Sequence, residues 1–408
     1  MAHIEDRWSK TIIDPDGKKG REKTSLYGKG LRYRVRYIDP GGSERSRSFA
    51  DKEKRQAEAF LVSIEADKVR GTYVDPNAGK ITFRDYALKW LAAQTFDEST
   101  REVTERRLRR HIFPHIGGRS LGLFQPMHIR ELDRELQKQG LSDGFRAVVY
   151  GNVLTVFNHA VDDGLIAKNP CSARTVRRPK VATKKIVPWT RHQVLALRQG
   201  MPERYALSID LGAGCGMRQG EILGIAIDDF DFSQGCLHIE RQLKIVGSRL
   251  VFALPKGRKT REVPLPNSVA DAVKRHIEMF PPVAIALPWN VPGGKPTTAN
   301  VIIYGKTKVG VDRNYFNEVA WHVALDAAGI ERGREHGMHA LRHFYASVLL
   351  DAGESIKALA KYLGHSDPAF TLRTYTHLMP TSEDRTRRAI DRMFSEGTPD
   401  SLDGLEAA

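Results

Sequence analysis

The sequence predicts a multidomain α+β protein. Its parts are a small β-sheet and helix N-terminal domain, an all-α middle domain, and a mixed, mainly α domain with a small antiparallel sheet. Three observations predict this. The chain has 408 residues, enough for two or three separate cores, with 41% hydrophobic and 8% aromatic residues. Its hydrophobic period changes from strict alternation near residue 35 to helical spacing from about residue 81 to 170, and then to a mixture. A basic stretch at 171–187, with Pro179 and neither period, separates the second part from the third.

The N-terminal part covers residues 1–75. "GKKGREKTSLYGKGLRYRVR" (17–36) holds eight Lys/Arg against a single acid, Glu22. Within it Arg32, Arg34 and Arg36 alternate with Tyr33, Val35 and Tyr37, the pattern of a strand with one basic and one apolar face. "DPGG" (39–42) is a turn and "SERSRSF" (43–49) the returning strand. The next 20 or so residues predict a helix with Ala57, Phe60, Leu61 and Ile64 on one face and Gly71 as its stop. An arginine-faced sheet suits contact with phosphates or a groove; an edge strand that uses charge against aggregation has the same look.

Residues 80–170 predict four helices. "TFRDYALKWLAAQ" opens the domain, and "ESTREVTERRLRRHI" follows with Arg106, Arg107, Arg109 and Arg110 clustered on it. "MHIRELDRELQKQG" is the third. The fourth, "FRAVVYGNVLTVFNHAVDDG", is expected to turn Val148, Leu154, Val156, Phe157 and Ala160 inward. The domain closes at "KNP" (168–170). The connector 171–187 carries six bases and no acid, so Arg177, Arg178 and Lys180 join Arg106 and Arg110 as candidate DNA contacts. The third part, 188–396, predicts strands at "CLHIERQL", "LVFALP" and "TREVPLP", and helices near 267–279, 312–328 and beyond. A frayed tail occupies 397–408.

Charge narrows the partner. A formal net charge of +15 points to a polyanion, of which nucleic acid is the commonest. The three cysteines, Cys171, Cys215 and Cys236, are scattered, which argues for a reducing compartment with no disulfide frame. "MAHIEDRWSK" has no apolar signal core, and no run approaches about 18 apolar residues. The expectation is a cytoplasmic protein without a membrane partner.

The densest chemistry lies in "HALRHFYASVLLDAGESIKALAKYLGHSDPAFTLRTYTH" (339–377). Metal is weakly supported: His339 and His343 are four apart, as in a zincin, but Ala340 stands where glutamate is needed. A phosphate-binding loop is absent too, because "VPGGKPTT" has Pro296 in place of Ser or Thr. Phosphodiester chemistry fits better. His339 and Arg342 are three apart on one helical face, His365 follows a helix ending at Gly364, and Tyr375 comes ten residues later. Upstream, "GMRQGE" places Arg218 in a glycine-rich turn with Glu221 three residues on, and "PKGRKTREVPLP" sets Lys256 at a hairpin turn. Two arginines, two histidines, a lysine and a tyrosine suit a pentavalent phosphorane and a covalent tyrosyl intermediate.

In order and spacing these pieces resemble the tyrosine recombinase (phage integrase) family over nearly the whole chain. The matching motifs are "GMRQGEIL", "PKGRKTREVPLP", "HALRH", "YLGHSD" and "TLRTYTH". The middle domain looks like the family's core-binding domain, and the N-terminal part resembles the arm-binding domain of larger integrases. Departures occur at Cys215 and Ala340, neither of which is expected to touch phosphate.

The resemblance implies roles. Arg218 and Arg342 fork onto the non-bridging oxygens, which lysine does poorly without a planar donor pair. Lys256 acts as general acid for the 5′-oxygen, His339 accepts the tyrosine proton or holds the phosphate, and His365 bonds a non-bridging oxygen. Glu221 orients Arg218 or His339. The guanidiniums and imidazoles are expected to lower the pKa of Tyr375. A phosphotyrosine keeps the energy of the phosphodiester, so neither metal nor cofactor is expected. The expected partners are double-stranded attachment sites, further copies of the chain in a tetramer, and accessory DNA-bending or directionality proteins. The tail after Tyr375, with Leu378, Met379, Ile390, Met393 and Phe394, is expected to dock on a neighbouring protomer. Two other readings share parts of the pattern: a type IB topoisomerase-like nicking-closing enzyme, and a DNA-binding regulator without catalysis.

Overall fold

The computed structural model describes residues 2–13, 19–71, 73–75, 78–182, 186–365 and 367–375, with residues 387, 390 and 391 beyond them. It divides into two compact units, Met1–Ala182 and Thr183–Ala408.

The first unit opens with five strands: β1 (His3–Asp6), β2 (Ser9–Ile13), β3 (Lys19–Lys23), β4 (Tyr33–Ile38) and β5 (Glu44–Phe49). They form an antiparallel sheet in the order β1-β4-β5 and a separate β2–β3 hairpin. The alternation of β4 works as its sequence requires, burying Tyr33, Val35 and Tyr37 with Phe49 under Ala57 and Ile64 of α1 (Lys54–Val69). Register then places Glu5, Arg34 and Ser48 side by side on the other face, and likewise His3, Arg36 and Ser46. The strands β1 to β3 ("HIED", "SKTII", "KGREK") escape the sequence reading because they are largely polar on both faces.

Five helices follow: α2 (Phe83–Ala93), α3 (Glu98–Arg107), α4 (Phe113–Ile116), α5 (Pro126–Lys138) and α6 (Asp143–Asp162). Side-chain caps fix three of their starts. Thr82, Asp97 and Ser142 each accept a backbone N–H from the first turn of α2, α3 and α6. Phe83 sits at the centre of this core, with its ring against those of Phe113, Phe124 and Phe157. One face assignment needs correction. Val148 is 39% exposed, whereas Val149 and Val153 are fully buried. These two lie seven and three residues before Val156, so they continue its stripe while Val148 falls off it. Cys171, at the head of the basic stretch, is buried with the helices, and its carbonyl accepts from Tyr150 Oη at 3.0 Å.

In the second unit α7 (Arg191–Gly200) starts at Thr190, whose side chain forms a reciprocal capping box with Gln193. The helices α8 (Glu203–Cys215) and α9 (Gln219–Leu223) come next. Seven strands are β6 (Phe230–Asp231), β7 (Cys236–Ile239), β8 (Gln242–Val246), β9 (Arg249–Ala253), β10 (Arg261–Pro264), β11 (Val283–Pro288) and β12 (Pro296–Val301). Between β10 and β11 lies α10 (Asn267–Met279). The expected small sheet is the antiparallel β10-β7-β6, accompanied by the hairpins β8–β9 and β11–β12. The remaining helices are α11 (Arg313–Phe316), α12 (His322–Ala327), α13 (His339–Asp351), α14 (Ile356–Leu363) and α15 (Pro368–Tyr375). Leu341 and Ala346 of α13 share one core with Leu207 and Leu211 of α8, which fixes α13 from behind. The expected apolar tail lies outside the described residues except for Ile390, which is exposed, and 397–408 lies outside them altogether.

Candidate active site

Two turns and a strand build the floor of the site. The helix α8 ends at Gly216 in the left-handed region (φ 62°), which turns the chain so that Arg218 caps α9. Glu221, fully buried one turn later, accepts from the Arg218 backbone N–H at 2.8 Å and from Arg218 Nη1 at 3.0 Å. Arg261 enters from β10 and donates to both oxygens of the same carboxylate, at 2.9 and 2.6 Å. Its Nε reaches the Tyr362 carbonyl at 2.8 Å. Burial alone raises the Glu221 pKa, but the hydrogen bond and charge of Arg261, with the Arg218 charge, win and hold it at about 2. Glu221 thus orients Arg218 and Arg261 together.

Arg342 projects from α13 and is fully buried. Its Nη1 donates to the Gly216 carbonyl at 2.7 Å, and its Nη2 donates to the Leu363 carbonyl at the end of α14. The same Nη2 is 3.2 Å from His365 Nε2, and Arg218 Nη2 donates to Leu363 at 3.3 Å. Burial, with repulsion from Arg218 and Arg261, lowers the Arg342 pKa to about 9, so the guanidinium stays charged at neutral pH. His365 Nδ1 lies 2.7 Å from Oγ1 of the buried Thr371 on α15.

Tyr375 ends α15 and is 1% exposed, with its Oη 2.8 Å from His343 Nδ1. The expected lowering of its pKa is overturned: burial pushes it up to about 12, against the smaller pull of Arg342 and Arg218. His343 and His365 are each lowered to about 4. Burial leads in both; His339 and Arg342 add to it at His343, and Arg342 and Arg218 at His365. Both rings are neutral at pH 7. His339 is depressed in the same direction by enclosing protein and then by Arg342, Arg218 and Lys256. More than a third of its surface is nevertheless open to water, so screening makes its depression smaller than theirs. Lys256 sits exposed between β9 and β10, and its charge acts on His339.

All six expected catalytic side chains therefore belong to one neighbourhood of the second unit. Three participants went unread. Arg261 lies inside a quoted motif, and its parity with the buried Val263 and Leu265 is the signal for an inward arginine. His343 is one turn past His339 on the same face of α13. Thr371 stands one turn before Tyr375. The ring on the Tyr375 hydroxyl is that of His343, which was not among the expected site residues. Among the described residues no group of three or more His, Cys, Asp or Glu is arranged to hold a metal ion. Among them, no helix is long and apolar enough to cross a membrane.

The expected DNA contacts of the first unit divide. Arg32 is ion-paired with Asp6 at 2.8 Å and Asp51 at 2.7 Å, and Arg36 with Glu5 at 3.0 Å and Glu44 at 2.9 Å. These two are not the free basic face the alternation promised, because β1, unread in the sequence, brings carboxylates alongside β4. Arg34 lies between them, its Nε buried without a partner. Arg106, Arg110, Arg177, Arg178 and Lys180 are exposed. The β2–β3 hairpin adds a basic face of its own. Register puts Lys19, Arg21 and Lys23 on one side with Ile13, Thr11 and Ser9, while Glu22 pairs with Lys10 on the other at 2.8 Å.

The comparisons with known proteins agree with this picture. Residues 190–381 match the model of the phage integrase family, and residues 82–137 match the phage integrase N-terminal SAM-like domain. A tyrosine recombinase XerC-like protein of Caldanaerobacter subterraneus subsp. tengcongensis is 26% identical over 381 residues, covering 87% of this chain and 94% of the relative. The integrase of Mycobacterium phage L5 is 23% identical over 331 residues, 78% of this chain and 84% of its own. Among solved structures, a Tn1549 transposon integrase complexed with circular intermediate DNA superposes with a TM-score of 0.63 at 20% identity, covering 77% of this chain and 99% of the other. A lambda integrase tetramer bound to a Holliday junction gives 0.54 at 16% identity, covering 88% and 96%. Fold and motifs together define a tyrosine site-specific recombinase. Within that class, the chain belongs to the phage integrase family.

Proposed function

We propose that this recombinase cuts duplex DNA with Tyr375, holds the 3′-phosphate as a phosphotyrosine, and rejoins it to a 5′-hydroxyl of a partner strand. The observation that carries the reading is the enclosure of Tyr375 beside its own chain's Arg342 and His343, which also favours cleavage in cis. Arg218 and Arg342 grip the non-bridging oxygens. They are suited to it because most of the compensation for their charge comes from backbone carbonyls and one shared carboxylate, Glu221. Lys256, on its exposed turn, protonates the leaving 5′-oxygen. His339 and His365 bond the phosphate. A silent regulator has no need of so complete a pocket.

Related integrases are described on circular-intermediate DNA and, as a tetramer, on a Holliday junction. By likeness this chain acts on attachment sites as a tetramer, moving a mobile element in the cytoplasm of its host, with accessory DNA-bending or directionality proteins as further partners. In this reading residues 80–170 and the basic stretch 171–187 hold the crossover core, and residues 1–75 hold a separate arm site. Within residues 1–75 the phosphate contacts fall to Lys19, Arg21 and Lys23 more than to Arg32 and Arg36, whose charge is already matched. A nicked suicide substrate tests the reading: the wild type forms a denaturant-resistant DNA adduct, with or without EDTA. Absence of the adduct, or its loss to EDTA and recovery with metal, overturns it.

A further inference from the structure

We infer that His343 is the catalytic base for Tyr375, holding its hydroxyl and receiving its proton as the phosphorus is attacked. This rests on the reading of Tyr375 as the nucleophile. Three observations support it. Tyr375 Oη has one hydrogen-bond partner among the described residues, Nδ1 of His343 at 2.8 Å, and the two rings meet edge to face at 5.7 Å. His339 makes no such contact; its ring stands edge-on to His343 at 4.7 Å. The nucleophile's helix is also pinned twice, by Tyr375 on His343 and by Thr371 on His365. The first pin is therefore not needed merely to dock α15.

The chemistry agrees with the position. Burial and the neighbouring His339 and Arg342 keep the His343 ring unprotonated at neutral pH, so a lone pair is available. The reading requires the Nε2–H tautomer, with the tyrosine O–H donating to Nδ1. A phosphodiester arriving at Arg342 brings a negative charge that offsets this guanidinium. That removes part of the opposition to protonating His343 when the proton moves. In the forward step the Tyr375 oxygen bonds to phosphorus and its proton passes to Nδ1. The bond from phosphorus to the 5′-oxygen breaks, and that oxygen takes its proton from Lys256. In rejoining, an incoming 5′-hydroxyl attacks and gives its proton to Lys256, while the departing tyrosinate takes back the one on His343. No other reactant is consumed.

The test uses the full chain on a nicked suicide substrate and on one with a bridging 5′-sulfur, whose thiolate leaves without an acid. His343→Ala removes the base; His343→Asn keeps a polar group near the Nδ1 position but cannot accept the proton. Both are expected to protect DNA in footprints as the wild type does, and to slow adduct formation on the order of a hundredfold on both substrates. Added imidazole is expected to restore the alanine variant by about tenfold or more. Cleavage by either variant within about threefold of wild type overturns the inference, as does recovery on the sulfur substrate, which places the residue on the leaving-group side. A footprinting alanine variant that imidazole does not restore also overturns it. If the alanine variant does not fold, the asparagine variant decides alone by its rates on the two substrates. A different failure, a wild type that forms no adduct or a Tyr375→Phe that does, removes the nucleophile assignment itself.

Discussion

Arginines cluster in two regions of this molecule and mean different things in each. On the N-terminal sheet, Arg32 and Arg36 face four carboxylates, Asp6, Asp51, Glu5 and Glu44. In the active site, Arg218 and Arg261 share Glu221, and backbone carbonyls hold Arg342 and complete the hydrogen bonds of the other two. The first group is matched to its own protein. The second keeps a surplus of positive charge that only an incoming anion satisfies. The lesson is that an arginine motif predicts anion binding after local pairing has been subtracted, and the subtraction needs the tertiary structure.

The largest expected effect lies on the active-site side. Tyr375→Phe abolishes the covalent adduct while leaving footprints intact, since only the attacking oxygen is lost. Next come Arg218→Lys and Arg342→Lys, which keep charge but lose the fork. Each is expected to slow cleavage on the order of a hundredfold or more, read as single-turnover adduct formation. Cleavage near the wild-type rate in both would mean that surplus charge alone matters. Arg261→Ala leaves Glu221 buried beside Arg218 only, and is expected to destabilise the second unit by about 3–5 kcal/mol in denaturant melts. The matching change on the sheet, Arg36→Ala, is expected to leave the denaturant midpoint almost unchanged, because exposed ion pairs contribute little. Equal losses from these two variants would erase the contrast. Neutralising Lys19, Arg21 and Lys23 to Gln is expected to flatten the salt dependence of full-site binding by about 0.9 in log–log slope per lost contact. The same assay on Arg32→Gln with Arg36→Gln should change little.

The active site also carries a pH effect. His343 and His365 have folded pKa values near 4, below the unfolded value near 6.5. As pH falls through 6.5 the unfolded chain gains protons that the folded one refuses, so folding is penalised progressively until about pH 4. At pH 5 the expected loss is on the order of 1–2 kcal/mol per ring, measured as the fall in unfolding free energy between pH 7 and 5. Glu221 has the opposite sense. Its depressed pKa stabilises above the ordinary carboxylate value, and that contribution disappears only as pH approaches about 2.

What could be read in advance followed from periodicity and motif order. The apolar face of β4 and the inward stripe of α1 were legible because each rests on spacing along one element, and the six residues from Arg218 to Tyr375 through the order of their motifs. Legibility failed where function depends on what packs beside an element. β1 is four mostly polar residues, yet it carries one of the two acids around each of Arg36 and Arg32, Glu5 and Asp6. His343 reads as one more helical histidine until α15 brings Tyr375 to it across 32 positions of sequence. The pKa of Tyr375 was misjudged for the same reason. Its cationic neighbours were countable in the sequence, but its enclosure was not. At pH 7 that enclosure deepens the cost of ionising from roughly 4 to about 7 kcal/mol, so proton removal has to accompany attack.

The carbonyls that hold Arg342 come from Gly216 and Leu363, at the ends of α8 and α14, where each helix stops in a left-handed glycine, Gly216 or Gly364. Helix C-termini carry partial negative charge. A guanidinium is therefore buried without a dedicated acid that the DNA must outcompete. Neither glycine accepts a side chain easily: a Cβ on Gly216 falls 2.5 Å from the Tyr345 ring, and one on Gly364 falls 2.9 Å from Arg261 Cδ. Genetic screens for inactive alleles should accordingly recover these two chemically mute positions beside the reactive ones. An engineer transplanting the pocket to another scaffold would have to carry over two helix endings as well as six side chains.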